Sequence, residues 1–220
     1  RSGNVAVGFL AYEAAPAFDP AFSCHPPPTR LPLLWFAVYD RLEEKPFPVV
    51  PSLTGPDFRW EPSLDETAYT RDIAHIKQAI AAGETYQVNH TFRLESSFSG
   101  DPLGLFARML SSQPLGYAAY LDTGDHVVAS LSPELFFEKR ANQIVCRPMK
   151  GTAKRGRTTR EDEQRANWLH TSEKNRAENV MIVDMVRNDL GRIAHPGTVQ
   201  IANPFAIESY PTLFQMTTTV

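Results

Sequence analysis

Apolar and polar positions along the chain follow two rhythms, and the change between them divides it. Up to Pro62 the apolar runs are short, as in "NVAVGFLAY" and "LLWFAVYD", and eleven of the 18 prolines fall in this part. That composition favours strand and loop over helix. The first run reads as a strand and the second as a buried strand. "HPPPTRLP" reads as an extended loop, and "KPFPVVPSLTGPDFRWEP" as a linker at a subdomain seam. The expected division is therefore 1–62 and 63–220.

Beyond Pro62 a helical period takes over. Tyr69, Ile73, Ile76 and Ile80 recur at i, i+4, i+7 and i+11, which predicts a helix from about Leu64 to Ala82. Ser63 with Glu66 makes a capping-box pattern and Gly83 a stop. "ETYQVNHTFRLE" then alternates and reads as a strand, with Gln87 and Asn89 opposite its apolar side. A short helix near Pro102 to Ser111 precedes four strands in series, "GYAAYLD", "HVVASL", "ELFFEKR" and "QIVCRPM", joined by short turns. Two helices follow. The first starts near Thr159 with Glu161, Asp162 and Glu163 in its opening turn, which suits the helix dipole. The second runs from Ser172 to Leu190, and its stretch "NVMIVDMVRNDL" is apolar on nearly every side, so burial all round is expected. A meander of strands with helices packed on it is an α+β fold with an antiparallel sheet.

Composition narrows the function classes. The formal net charge of -3 over 220 residues gives no global basic field for nucleic acid. No apolar run approaches the roughly 20 residues of a membrane helix, and the first residues lack the layout of a signal peptide. Two cysteines, Cys24 and Cys146, suit a reducing compartment, so a cytoplasmic location is expected. The chain opens at Arg1 and ends in "LFQMTTTV", which reads as a strand with no polar tail, so a fragment cut at both ends is expected.

Candidate chemistry is sparse when each residue is taken alone. The six histidines show no pair at metal-ligand spacing, and no nucleophile elbow, P-loop or dinucleotide fingerprint occurs. In "RPMKGTAKRG", Lys150 follows an apolar strand and precedes Gly151, which lets a backbone approach a ligand. A lone lysine is solvated by default. Buried, it would lose solvation, its pKa would fall, and a nucleophilic amine would become available. Glu134 in "SPELFF" is either a solvated strand-start residue or a general acid or base. Glu178 on the last helix is solvated or offers a hard oxygen ligand to Mg²⁺. Asp184 is expected to pair with Arg187 or another neighbour.

Taken together the same segments carry more. "SPELFF", "RPMKGT", "NRAENVMIVDMVRNDLGRI" and "GTVQI", in this order and spacing, resemble the chorismate-utilising enzymes, and among them the aminodeoxychorismate-forming branch (component I). The resemblance covers the whole chain. It implies an antiparallel β-sheet sandwich with outer helices, of which only the N-terminal and middle part is present. It makes 63–220 the first part of the chorismate-binding domain. It also implies an enzyme of p-aminobenzoate and folate synthesis that takes chorismate, with ammonia supplied by a glutamine amidotransferase subunit or domain, and uses Mg²⁺.

The resemblance assigns roles residue by residue. Lys150 matches a nucleophile that attacks C2 of chorismate, a position where anthranilate synthases carry alanine. Glu134 matches the general acid/base, Gly151 and Thr152 match contacts to the ring carboxylate, and Glu178 matches a Mg²⁺ ligand. Gln87 stands where water-adding relatives carry lysine, which disfavours those activities. Gln215 stands near a histidine of many relatives and receives no role. The Gly-rich motif, the pyruvyl-binding arginine and the second Mg²⁺ carboxylate of the family have no match before Val220, so the chain by itself is expected to be inactive. Anthranilate synthase component I and a non-catalytic interaction module are the competing readings.

Overall fold

Contacts within the chain form two compact units, Arg1–Val49 with Phe106–Val220, and Val50–Leu105. The computed structural model describes residues 3–25, 30–47, 58–112 and 116–220. Residues 26–29 of the expected proline-rich loop and 48–57 of the expected linker lie outside the described residues. Strand β1 (Val5–Leu10) pairs antiparallel with β2 (Leu34–Tyr39). The second run is not buried as expected. Leu34, Phe36 and Val38 are exposed, because β2 has only β1 as a described partner and nothing described covers that face.

The second unit holds β3 (Glu61–Pro62), α1 (Glu66–Ala81) and β4 (Leu94–Glu95). The cap of α1 is Asp65 rather than Ser63, its side chain accepting from the Ala68 amide at 2.7 Å. Ser63 is engaged elsewhere, donating from its own amide to Arg93 O and accepting the Arg93 amide at its hydroxyl. Only Leu94 and Glu95 of the alternating "ETYQVNHTFRLE" stretch join a ladder. Alternation reports which way side chains face, not whether a neighbouring strand exists.

Helix α2 (Pro102–Ser112) leads into two hairpins, β5 (Tyr117–Asp122) with β6 (Val127–Ser132), and β7 (Leu135–Arg140) with β8 (Gln143–Arg147). Strand β9 (Met149–Lys154) follows β8 after one residue. Helices α3 (Thr159–Thr171) and α4 (Glu173–Gly191) come next, then β10 (Ala202–Ser209) and β11 (Leu213–Thr219). The three-stranded sheet has the order β10-β11-β9, all antiparallel. The class is α+β, as the pattern predicts. Beyond this sheet the β8 line continues the pairing, since Cys146 and Val220 exchange both backbone hydrogen bonds, at 2.8 and 2.9 Å.

One face of the three-stranded sheet carries Ala153, Phe214 and Met216, which pack with Leu169 of α3 into a buried core, Phe205 and Ile207 lying against it. Thr158 caps α3 by accepting from the Glu161 amide, and Ser172 accepts from the Asn175 amide to start α4. Thr218 ties α4 to the sheet. Its hydroxyl donates to Asn179 Oδ1 at 2.6 Å and accepts the Phe205 amide at 3.0 Å. Phe205 is held at φ 58 in the irregular start of β10, a conformation bulky residues rarely adopt.

Helix α4 is not buried all round. Asn179 and Val183 face the sheet, while Val180 and Met185 are 51% and 63% exposed. Apolar composition shows that a face can be covered, not what covers it. Asp184 does pair with Arg187, at 3.2 Å, but on the exposed side of the helix.

Candidate active site

Strand β9 enters the sheet with an irregularity, and candidate residues lie at it. Thr152 lies opposite Gln215 of β11 and Met149 opposite Thr217, so two residues, Lys150 and Gly151, oppose the single Met216. This is a β-bulge, a device that bends a strand and re-aims its side chains. Gly151 makes it possible. Its φ is +98, and a Cβ there would stand 3.1 Å from the Asn175 side chain at the start of α4. Both conditions exclude larger residues. Lys150 is half-buried at the centre of the bulge rather than enclosed.

Glu134 comes to the same place from 15 residues upstream. Although the residue is exposed, its Oε1 accepts the Met149 amide at 3.0 Å, which sets a carboxylate beside the backbone of Lys150. Ser132 holds the turn before it, its hydroxyl accepting the Glu134 amide at 3.3 Å. Thr152, exposed on the side away from the core, donates its hydroxyl to Gln215 Oε1 at 3.0 Å. Four sequence-predicted residues, Glu134, Lys150, Gly151 and Thr152, therefore gather on one short strand entry.

Glu178 stands one helical turn beyond Asn175 on α4, half-buried, with Lys174 at 3.8 Å. No group of three or more His, Cys, Asp or Glu side chains is arranged as a metal cage among the described residues. Mg²⁺ characteristically takes one or two carboxylates and completes its shell with water and substrate oxygens, and a lone half-buried carboxylate fits that donor pattern. Gln87 belongs to the second compact unit.

Beside this strand entry lies a polar cluster that sequence inspection does not reveal. Glu208, opposite Gln215 on β10, accepts from Tyr210 at 2.6 Å and Thr217 at 3.1 Å, and pairs with Arg147 at 3.3 Å. Arg147 also donates to the Tyr117 hydroxyl at 3.2 Å. Burial, then the bond to the Glu208 carboxylate, pushes the Tyr210 phenol up to about 12. Asn175 was likewise invisible as a functional residue, because its closeness to Gly151 depends on how α4 crosses β9. Only Arg147 had a local signal, as the first letter of "RPMKGT".

Matches to known proteins give the family. A family described as chorismate binding enzyme matches residues 1–220. The chain belongs to the chorismate-binding enzymes. Within the family, aminodeoxychorismate synthase component 1 of Bacillus subtilis is 41% identical over 145 residues, 66% of this chain and 31% of that protein. Anthranilate synthase component 1 of Thermus thermophilus is 35% identical over 182 residues, 82% of this chain and 39% of that protein. The chain thus spans about a third of the length of these curated relatives. The fold is the family fold. Anthranilate synthase component I from Streptococcus pneumoniae superposes with a TM-score of 0.79 at 19% identity, covering 99% of this chain and 57% of that one. A 2,3-dihydroxybenzoate-specific isochorismate synthase from Bacillus anthracis gives 0.64 at 20% identity, covering 84% and 49%.

Two arginines after Thr152, Arg155 and Arg165, have structural contacts. Arg155 grips Asp162 with two nitrogens, donates to Tyr210 O at 2.8 Å and lies over the Phe214 ring at 4.7 Å. Its guanidinium holds the Asp162 carboxyl below the usual carboxylate range. Arg165 donates to Arg155 O at 2.8 Å. These arginines fasten β9 to α3. Cys24 and Cys146 are free, and burial, with the Asp189 charge, raises the Cys146 thiol. A cavity of about 620 Å³ lined by Lys139, Val145, Leu190, His195 and Val220 contains none of the candidate residues. No helix among the described residues is long and apolar enough to cross a membrane.

Proposed function

We propose that this chain is part of an aminodeoxychorismate synthase component 1, which converts chorismate and ammonia to 4-amino-4-deoxychorismate for p-aminobenzoate and folate synthesis. The observation that carries the reading is Lys150 in the bulge, between the Met149 amide bound by Glu134 and the Gly151–Thr152 segment. Several relatives named aminodeoxychorismate synthase component 1 support it, and a glutamine amidotransferase partner would deliver the ammonia.

In this mechanism the Lys150 amine adds to C2 of chorismate as the C4 hydroxyl leaves. Glu134, as general acid, gives a proton to that hydroxyl, which departs as water. Ammonia then adds at C4 as the lysine amine departs from C2, taking a proton from Glu134. The proton lost by the incoming amine in each half returns to Glu134. The bulge holds Lys150 in position through both halves, and that orientation lowers the entropic barrier of the first attack. Gly151 and Thr152 would hold the ring carboxylate. Mg²⁺, held through Glu178, would offset the negative charge of that carboxylate when bound.

Anthranilate synthase component 1 is the second reading, favoured by the Thermus relative. Lys150 distinguishes the two. Incubating the full-length protein with chorismate alone should add mass to the tryptic peptide containing Lys150. Lys150→Ala should abolish that adduct and shift product towards the anthranilate type. Lys150→Arg keeps the charge without a usable amine, so near-normal turnover in it, with no adduct in the wild type, overturns the mechanism.

A further inference from the structure

A row of three residues crosses the sheet at the bulge: Glu208 on β10, Gln215 on β11 and Thr152 on β9. Its middle member has no role in the chemistry described above, yet it holds the Thr152 hydroxyl. The Thr152 hydroxyl donates to Gln215 Oε1 at 3.0 Å. A hydroxyl has a single proton. While that proton points at Gln215, Thr152 can offer an anion only lone pairs, and lone pairs repel it.

The Gln215 side chain can resolve this conflict. Its amide ends in one acceptor and a two-hydrogen donor, and the terminal torsion that exchanges them is soft and nearly two-fold. Turned over, Nε2 donates to Thr152 Oγ1, and the hydroxyl proton is released towards the ligand. Glu208 does not compete strongly for the amide, because its carboxylate already takes Tyr210, Thr217 and Arg147. The arginine also offsets the carboxylate's charge next to an anion site. Gln215 is half-buried and its neighbours Phe214 and Met216 are core residues, so the backbone under the amide is fixed while the amide end is not.

We propose that Gln215 is a positioning residue that accepts from Thr152 in the empty site and donates to it when a carboxylate binds. This rests on the reading of Thr152 as a carboxylate contact. The ligand class is a carboxylate-bearing substrate, and the role requires a side chain able both to accept and to donate.

The test is a double-mutant cycle in the full-length protein, with chorismate affinity measured by calorimetry and KM by turnover. Gln215→Met should weaken chorismate binding about fivefold in the wild-type background and less than about twofold in the Thr152→Val background, because the bond then has no partner to act through. The loss should appear in KM more than in kcat. Gln215→Glu, nearly isosteric but unable to donate, should bind more weakly than Gln215→Met, and it serves if the methionine variant fails to fold. Equal losses of Gln215→Met in both backgrounds, or a Gln215→Glu variant that binds like wild type, would overturn the inference and leave the proposed function intact. A wild-type protein that binds no chorismate would overturn both.

Discussion

At the scale of single residues, the site separates those that set geometry from those that do chemistry. Gly151 sets geometry. Gly151→Ala must hold a side chain at φ +98 and push its Cβ to within 3.1 Å of Asn175. It should lose about 1–3 kcal/mol of unfolding free energy in urea titrations, with Lys150 untouched. Glu178, proposed as a Mg²⁺ ligand, would belong to the other class. Its recorded partner is Lys174 at 3.8 Å, too loose a contact to matter for folding. Glu178→Gln should therefore melt like the parent while the Mg²⁺ concentration for half-activation rises about tenfold or more. Unchanged Mg²⁺ activation would remove Glu178 from the metal site. Sequence order made Glu134, Lys150, Gly151 and Thr152 legible, because each sits in a short motif. Gln215 was not legible as Thr152's partner, since 63 residues separate them and only the strand register brings them together.

Elements were legible where their signals are local. Ser172 and Gly191 bracket α4 closely, and the two hairpins follow from turn spacing. Pairing was less legible, because it depends on partners. The stretch before Leu94 alternates like a strand without joining a ladder, and nothing in β9 alone announces that β11 opposes two of its residues with one. The join between α4 and the sheet is similarly non-local and rests on Thr218. Thr218→Val keeps the shape but strands the fully buried Asn179 Oδ1 and the Phe205 amide together. The expected cost is about 1–3 kcal/mol for each group left without a partner. Faster amide exchange at Phe205 would locate the loss at the start of β10, and unchanged exchange there would mean that the hydroxyl does not hold that strand.

For the whole molecule, the cluster around Glu208 makes stability depend on alkaline pH. The neutral Tyr210 phenol is favoured in the folded state, where its pKa stands at about 12 against an ordinary 10.0. Between those values the native protein retains a proton that the unfolded chain has lost, so stability falls as pH rises. The contribution is complete below pH 10.0 and is gone above about 12. Urea midpoints taken across that interval should fall more steeply for the parent than for Tyr210→Phe. Parallel curves would show that Tyr210 is no more protected than a solvated phenol.

The bulge has one more consequence, for how such an enzyme could change its reaction. Its left-handed backbone conformation falls on Gly151, and the close approach to α4 falls on Asn175. Lys150 is not among the residues with positive φ. Position 150 can therefore exchange one side chain for another while its neighbours keep the strand in place, and a new chemistry there does not require a new scaffold. On the proposed function, the lysine here and the alanine that the resemblance implies for the anthranilate-forming branch would be alternative tools in one holder.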